Sequence, residues 1–232
     1  MTHGNGRRAR FHRRRTGSER AGPGTFLVVR ALIILADPEP SGVLRDATAR
    51  ATAALEGAGH DVTVRDLRAE GFRTAMNAVE RAAYESEQPI HDRLVAEHAE
   101  LVGSTNILVF VYPTLLSTVP AVMKGWLERV LVPGVGFVLD DRKKVRPGLR
   151  DVRRIVGVST YAERRLDVKM THDNGRRTIT RAVRMSAGLW TSATWVPLYS
   201  VGAATSDDRA EFLDRCARRV ARRWPPLPPP HA

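Results

Sequence analysis

Residues 31–40 have the sequence ALIILADPEP, a continuous apolar run that is followed by two prolines. A strand that helices cover on both faces of a parallel sheet has this appearance, because neither face alternates with polar residues. The prolines end the strand and force a loop. This stretch therefore predicts the first core strand of a parallel sheet, with a loop directly after its carboxyl end.

Four further strand patterns alternate with helical patterns along the chain. The strands are predicted at residues 61–67, 106–112, 155–160 and 194–199. Helices are predicted at about residues 41–57, 93–101, 120–130, 176–187 and 207–223, and residues 68–89 as an irregular excursion over the surface. Such alternation is typical of a parallel sheet covered by helices. With right-handed crossovers it predicts an α/β three-layer sandwich whose five-stranded parallel sheet has the flavodoxin-like order 2-1-3-4-5.

Length and composition are consistent with one globular domain. The chain has 232 residues, of which 43% are hydrophobic and 27% charged, close to the globular average. We predict a disordered basic extension at residues 1–24, a flavodoxin-like domain at residues 25–223 and a proline-rich tail at residues 224–232.

The net charge of +12 arises partly from the amino-terminal segment. Residues 1–24 contain seven arginines and one acid, Glu19, with almost no apolar side chains. A segment of this composition cannot offset the entropy of ordering itself. It is either an inert tail or an arm that touches phosphates or another anionic surface, and we expect no nucleic-acid partner for the domain.

We expect a cytoplasmic protein without a membrane partner. An export signal is not favoured, because Arg30 interrupts the apolar run that follows the arginines and no small-residue cleavage site comes after that run. No stretch approaches the ~20 apolar residues that a membrane helix requires. The single cysteine, Cys216, can form neither an internal disulfide nor a zinc site, so we expect a buried thiol and no metal.

Three groups of motifs carry a family resemblance. The most specific group reads VFVYP at residues 109–113, VPAVMKGWLERV at 119–130 and PGVGF at 133–137. The second comprises residues 35–41, 59–62, 66–67 and 69–72, and the third is Ser159-Thr160-Tyr161. Together they resemble the flavodoxin-like NAD(P)H:quinone oxidoreductases over roughly residues 30–220. The resemblance implies a homodimer that binds FMN or FAD, takes hydride from NADH or NADPH and reduces a quinone or similar aromatic acceptor.

The resemblance also implies a flavin site made by three loops at one sheet edge. Backbone N–H groups at the start of the first helix would bind the flavin phosphate. The implied cofactor-binding residues are Ser41, Gly42, Val43, Pro113, Thr114, Leu115, Leu116, Ser159, Thr160 and Tyr161. Tyr161 would stabilise negative charge and His172 would donate a proton, which makes them the implied catalytic residues. Asp37, Trp126 and Phe137 would line the substrate pocket.

Several of these residues also have a structural interpretation. Ser41 would cap the first helix, and Trp126 and Phe137 would be core or dimer-interface residues. The run Thr171-His172-Asp173-Asn174 would be an ordinary helix start, with Asp173 or Asn174 as its cap. Four arginines would attract the phosphates of NADP or form a solvated basic face, namely Arg164, Arg165, Arg176 and Arg177.

Departures from the family's residues keep other functions open. Asp37 stands where the family usually has histidine, and Gly42-Val43 replaces an aromatic residue. Residues 115–118 lack aromatics, and residues 162–165 replace a glycine pair. The alternatives are a protein without flavin redox chemistry, acting as a binding or regulatory subunit as some relatives do for potassium-efflux systems, or a flavin-independent enzyme of secondary metabolism.

Overall fold

The computed structural model describes residues 29–222. The predicted extension at residues 1–24 and the tail at residues 224–232 lie outside the described residues. The strands are β1 Arg30–Leu35, β2 Asp61–Asp66, β3 Ile107–Pro113, β4 Phe137–Leu139, β5 Val145–Pro147, β6 Arg154–Thr160 and β7 Ser192–Leu198. The helices are α1 Val43–Gly57, α2 Ala78–Ala83, α3 Arg93–Gly103, α4 Ala121–Val130, α5 Arg165–Met170, α6 Asn174–Arg177, α7 Arg184–Ala187 and α8 Ser206–Val220, with a π-helical segment at Thr178–Val183 joining α6 to α7.

Five strands form one parallel sheet in the order β2-β1-β3-β6-β7. The strands β4 and β5 pair only with each other, as an antiparallel hairpin. Counted without that hairpin, the order is 2-1-3-4-5, so the predicted sheet is confirmed. The hairpin itself was not predicted, because each of its strands has only three residues and the segment between β3 and β6 is rich in charge.

Helices cover both faces of the sheet, as the three-layer prediction requires. On one face, β1 side chains such as Ile33 pack with buried residues of α1 and α8, among them Leu55 and Phe212. On the other face, Leu32 packs with buried residues of α3, α4 and the segment from α6 to α7. Cys216 belongs to the first of these cores, and burial raises the pKa of its thiol to about 12, as expected for a structural cysteine.

Side-chain caps fix the starts of several helices. Asn77 and Thr205 form capping boxes at α2 and α8, and Asp92 accepts the Leu94 N–H at the start of α3. The start of α1 differs from the prediction. Its N-cap residue is Gly42, with no side-chain hydrogen bond, so Ser41 does not cap this helix.

A buried ion-pair cluster joins α4 to the segment that leads into α3. The Arg129 side chain is 2% exposed and binds both Glu80 and Asp92, the latter at 2.8 Å. It also donates to the Arg73 carbonyl at 2.7 Å and lies 5.3 Å from the centre of the Phe72 ring. Burial alone would raise the pKa of Glu80, yet the hydrogen bonds from Arg129 hold it below its usual range. The segment at residues 68–89 is therefore tied down by charge.

A second buried chain of hydrogen bonds runs through His98. Trp126 Nε1 donates to His98 Nδ1 at 2.8 Å, and His98 Nε2 lies 2.8 Å from Glu70 Oε2. Because an indole nitrogen only donates, Nδ1 must be unprotonated, and the neutral imidazole donates from Nε2 to Glu70. Burial lowers the pKa of His98, whereas the Glu70 carboxylate acts in the opposite direction.

This arrangement predicts a loss of stability in mild acid. Since the folded protein holds His98 neutral, the unfolded chain binds more protons once the pH falls below the ordinary value of 6.5. The free energy of unfolding should then decrease by up to ~1.4 kcal/mol per pH unit until the folded-state pKa is reached. Urea unfolding of the protein and of His98→Gln from pH 7.5 to 5.5 measures this, since the variant lacks the titrating group. Parallel pH profiles for the two proteins would contradict the assignment.

Among residues 29–222, no helix combines the length and apolar character needed to cross a bilayer.

Candidate functional site

The loops that follow β1, β3 and β6 lie at one edge of the sheet. These three strands are neighbours in the sheet, and in register their carboxyl ends lie within two residues of one another. The Ala36 N–H donates to the Val111 carbonyl at 2.9 Å, and the Thr114 N–H donates to the Thr160 carbonyl at 2.8 Å. Ligands of open α/β sheets bind at this edge, where the strand order reverses. The three predicted loops therefore share one surface.

The first loop leaves the start of α1 open. Gly42 has a φ of 128°, which favours glycine, and a Cβ at this position would meet no atom within 4 Å. Within the described part of the chain, the N–H groups of Gly42, Val43 and Leu44 have no acceptor. Free N–H groups at the start of a 15-residue helix attract anions, and the helix dipole adds to the attraction.

Acidic groups lie close to this helix start. The Asp37 side chain follows β1 directly, is 5% exposed and accepts the Glu39 N–H at 3.2 Å. Burial raises the pKa of Asp37, while that hydrogen bond and the nearby Arg45 act in the opposite direction. Arg45 itself is held by Asp66 at 2.7 Å and by the Glu39 carbonyl at 2.7 Å. A phosphate bound here would have the Asp37 carboxyl group as a neighbour.

The second loop is a tight turn. Leu115 and Thr118 exchange backbone hydrogen bonds of 3.1 and 3.0 Å, and the two central residues, Leu116 and Ser117, have φ angles of 48° and 57°. Left-handed backbone in a bulky residue such as leucine is strained, and strain of this kind concentrates at functional sites. The Leu116 side chain is 95% exposed.

This turn changes which backbone donors the second loop can present. The N–H groups of Thr114 and Leu115 are already used by the Thr160 and Thr118 carbonyls. Of residues 114–117, Leu116 and Ser117 are the two whose N–H groups have no acceptor among the residues described. The prediction that the whole run from Pro113 to Leu116 presents donors to a ring is therefore wrong for Thr114 and Leu115.

The third loop is held by its own neighbours. Ser159 Oγ and Thr114 Oγ1 are 2.7 Å apart and both side chains are buried, so this pair joins the second loop to the third. The Thr160 side chain is buried as well. The Tyr161 N–H donates to the Leu198 carbonyl at 2.9 Å, which joins the third loop to β7.

The Tyr161 phenol points into the protein. It is 1% exposed, donates to Asp173 Oδ2 at 2.9 Å and accepts the Trp195 Nε1–H at 3.0 Å. Burial, followed by the Asp173 carboxylate, raises its pKa. The phenol proton is thus committed to Asp173, and the structure does not present it to the edge as the predicted catalytic role requires.

Asp173 is a site residue whose main role the sequence did not show. Its Oδ1 accepts the Arg176 N–H at 3.1 Å, so it caps α6 as predicted. Its second oxygen binds Tyr161, which lies twelve positions earlier in the chain, and no local pattern shows such a contact. Its backbone is left-handed with a φ of 41°, as is that of His172 at 67°.

The other predicted residues have different surroundings. His172 is exposed, and its neighbour Thr171 accepts a hydrogen bond from Ser117 Oγ at 3.1 Å, so its role as a proton donor at this edge stays a prediction. Phe137 is half-buried in β4, and its pocket role is also untested. Trp126 has 0% exposure and donates to His98 inside the core. The prediction that Trp126 lines a pocket is therefore wrong.

The edge is open and carries exposed apolar side chains. Two surface grooves, of about 280 and 420 Å³, flank β2, and neither is lined by the second or third loop. Four apolar side chains that are more than half exposed lie on the second loop and on α5, namely Leu115, Leu116, Leu166 and Met170. Within residues 29–222, no group of three or more His, Cys, Asp or Glu side chains could hold a metal ion.

The residues present fit a flavin at its phosphate end and partly at its ring. The uncapped start of α1, with no Cβ on Gly42, suits a phosphate. The free N–H groups of Leu116 and Ser117 suit the polar edge of a planar ring. The buried Tyr161 and the Asp37 carboxyl group contribute nothing favourable to this fit.

The sheet order and the three loops define an α/β protein of the class whose ligands bind at the carboxyl edge of a parallel sheet. A family profile described as flavodoxin-like fold matches residues 29–223, and the chain belongs to that family.

Individual proteins that are similar to this chain include NAD(P)H quinone oxidoreductases and an azoreductase. The chain is 30% identical to rat (Rattus norvegicus) NAD(P)H dehydrogenase [quinone] 1 over 126 residues, which are 47% of this chain and 46% of the rat protein. It therefore spans about half the length of the curated relatives that it matches. The NAD(P)H:quinone oxidoreductase of Methanothermobacter marburgensis superposes with a TM-score of 0.67 at 22% identity, over 84% of this chain and 96% of the other. An FMN-dependent NADH-azoreductase from Bacillus anthracis, solved with FMN, gives 0.66 at 13% identity over 84% and 99%. At these identities the two structures show the fold alone.

Proposed function

We propose that the protein is a flavin-dependent NAD(P)H oxidoreductase that reduces a quinone or similar aromatic acceptor by two electrons. The observation that carries this proposal is the uncapped start of α1, where three backbone N–H groups lack an acceptor among residues 29–222. The similarity to NAD(P)H dehydrogenase [quinone] 1 supports the same chemistry. A cytoplasmic location follows from the proposal, because NAD(P)H is supplied there.

Each loop would hold one part of the cofactor. Gly42 and Val43 would bind the phosphate through their N–H groups. The N–H groups of Leu116 and Ser117 would orient the ring. A bound flavin, FMN or FAD, supplies hydride acceptance and two-electron transfer. Thr160 and the buried Ser159 would position the third loop, and Tyr161 would hold that loop in place through Asp173 instead of acting on the acceptor.

We propose a homodimer in which the partner covers the open edge. Leu116 and Met170 are 95% and 78% exposed, and a hydrogen bond between Ser117 and Thr171 joins the segments that carry them. Exposed apolar side chains beside a ligand site are typical of a surface that a partner covers. A second copy would shield the ring from water and complete the acceptor pocket, to which Phe137 and His172 would contribute. Sedimentation velocity at micromolar concentration should give twice the monomer mass, with a shift towards monomer in Leu116→Glu.

The function is tested by cofactor binding and turnover. Purified protein titrated with FMN and with FAD should quench flavin fluorescence and acquire the visible absorption of a bound flavin. The loaded protein should then oxidise NADH or NADPH only when a simple quinone such as menadione is present. A protein that stays colourless with both flavins, and that leaves both nucleotides unchanged, would refute the proposal.

One set of observations favours a second candidate, a protein of this fold without flavin chemistry. The Asp37 carboxyl group beside the phosphate loop and the donors already used in the second loop both oppose flavin binding. Such a protein would be a binding or regulatory subunit, or a flavin-independent enzyme. In the flavin titration described above, such a protein would be folded but would bind neither FMN nor FAD.

Asp37→Asn separates the effect of this carboxyl group from the rest of the loop. Removing a negative charge near the phosphate should raise FMN affinity about tenfold, the effect of ~1.4 kcal/mol. Because burial raises the pKa of Asp37, ionisation of this carboxyl group at neutral pH opposes folding. Asp37→Asn should therefore raise the free energy of unfolding more at pH 7 than at pH 4. Fluorescence titration and urea unfolding measure the two effects. Glu163→Gln, on the exposed third loop, is the control for charge alone, and equal gains in both variants would contradict a local effect.

A further inference from the structure

A basic surface lies beside the candidate site. Residues 162–184 contain seven lysines and arginines against three acids, a net charge of +4. Six of the seven cations are exposed and form no ion pair within the described chain, namely Arg164, Arg165, Lys169, Arg176, Arg177 and Arg181. Elsewhere in the structure, arginines such as Arg45 and Arg129 are paired with carboxylates. This surface therefore has positive charge that no described acid neutralises.

Two of these arginines affect the pKa of the same phenol, that of Tyr199. Tyr199 follows β7 and is half-buried, and its ring lies 4.9 Å from the ring of Tyr161. Burial and Asp173 raise the pKa of Tyr199, whereas the guanidinium groups of Arg165 and Arg176 act in the opposite direction. Arg165 begins α5 and Arg176 lies in α6, so two separate helices bring positive charge to one hydroxyl group.

Hydrogen bonds fix α6, which carries Arg176, against the second and third loops. Asp173 accepts the Arg176 N–H at 3.1 Å and the Tyr161 hydroxyl at 2.9 Å, which holds α6 against the third loop. The Gly175 N–H donates to the Ser117 carbonyl at 3.1 Å, which holds the same helix against the second loop. The arginine cluster is thus attached to both loops that would orient the flavin ring.

We propose that Arg165 and Arg176, together with the Tyr199 hydroxyl, bind the 2′-phosphate of NADPH and make the protein select NADPH over NADH. The inference rests on the proposed function, because a nicotinamide must reach the ring at this edge. Guanidinium groups bind phosphate through paired charge-assisted hydrogen bonds, and arginine is the side chain that accommodates the 2′-phosphate of NADP in other α/β sheets. NADH has a hydroxyl at that position and would leave both guanidinium groups without an anion.

The binding test needs neither flavin nor turnover. Isothermal titration of the full chain should show adenosine 2′,5′-bisphosphate binding at least about tenfold more tightly than adenosine 5′-monophosphate, as expected for two charge-assisted contacts. In the double variant R165Q/R176Q the two ligands should bind within about twofold of each other. Equal affinities in the parent protein would overturn the inference.

A matched control separates a site from general charge. Arg218 and Arg219 are exposed at the end of α8, whose last turn contacts Arg154 at the opposite edge of the sheet. The double variant R218Q/R219Q removes the same charge and should keep the parent's preference for the bisphosphate. An equal loss in both double variants would also overturn the inference, because it would show attraction by net charge only.

Failure of the inference and failure of the proposed function give different results. If flavin binds and NADH and NADPH are oxidised with equal kcat/KM, the function stands and the selectivity does not. If the bisphosphate binds through Arg165 and Arg176 but no flavin binds, the nucleotide site stands and the redox function does not. If both the proposed function and the NADPH selectivity are correct, R165Q/R176Q raises the KM for NADPH about tenfold while the KM for NADH changes little.

Discussion

Replacing Arg129 by alanine is expected to lower the free energy of unfolding by about 3–5 kcal/mol. The Arg129 side chain is 2% exposed, and its loss would leave the buried Glu80 carboxylate without a cationic partner and Asp92 with only the exposed Arg73. It would also free the Arg73 carbonyl, which now accepts a hydrogen bond of 2.7 Å. Urea unfolding monitored by tryptophan fluorescence measures the change.

Arg50→Ala is the matched control for this prediction. Arg50 pairs with Asp214 at 2.6 Å, but both side chains are about half exposed, so solvent screens the pair. Its removal should cost no more than ~1 kcal/mol. If the two variants lose similar stability, the Arg129 cluster is not the buried anchor that its geometry indicates.

The same cluster shows where sequence reasoning reached its limit. The central strands were predictable, because a parallel strand covered on both faces must be a continuous apolar run such as residues 31–36. The stretch at residues 68–89 has no such run and was predicted to be an irregular excursion. It is fixed by charge pairs with Arg129, a residue about 50 positions further along the chain, and no periodic pattern encodes such a contact.

For the candidate site, the sequence located the loops but not the directions of their side chains. Three loops at one edge follow from the strand order, and that order follows from the alternation of strands and helices. Whether Tyr161 faces a ligand or the core depends on Asp173 and Trp195, which come from two later elements. The left-handed turn at Leu116-Ser117 was equally unpredictable, since neither residue favours that backbone.

Loop positions and side-chain directions therefore have different physical origins in this fold. Apolar burial along the strands sets the first, whereas a few long-range polar contacts set the second. Residues that resemble a known family, such as Trp126 in the run at residues 119–130, need not act at the site. A side chain shared with a family can serve the packing of α4 as readily as it can line a pocket.

Trp126→Ala tests how much the buried indole contributes to stability. The indole is fully buried, lies edge-on to Phe110 at 5.9 Å and donates to His98 Nδ1. Its removal should lower the free energy of unfolding by about 3–5 kcal/mol, through the cavity and through the loss of the donor to His98. Differential scanning fluorimetry and urea unfolding by circular dichroism measure the loss, the latter because its signal does not depend on the one tryptophan of four that the variant lacks.

Trp126→Phe tests the site directly, because it keeps most of the packing. It removes the hydrogen bond to His98 and should cost about 1–3 kcal/mol, the penalty for an unsatisfied buried group. A core residue with 0% exposure touches no substrate, so FMN affinity and the KM for a quinone should stay within about twofold of the parent values at a temperature where the variant is folded. A tenfold rise in that KM with unchanged stability would return Trp126 to the pocket and would mean that α4 changes its packing when the ligand binds.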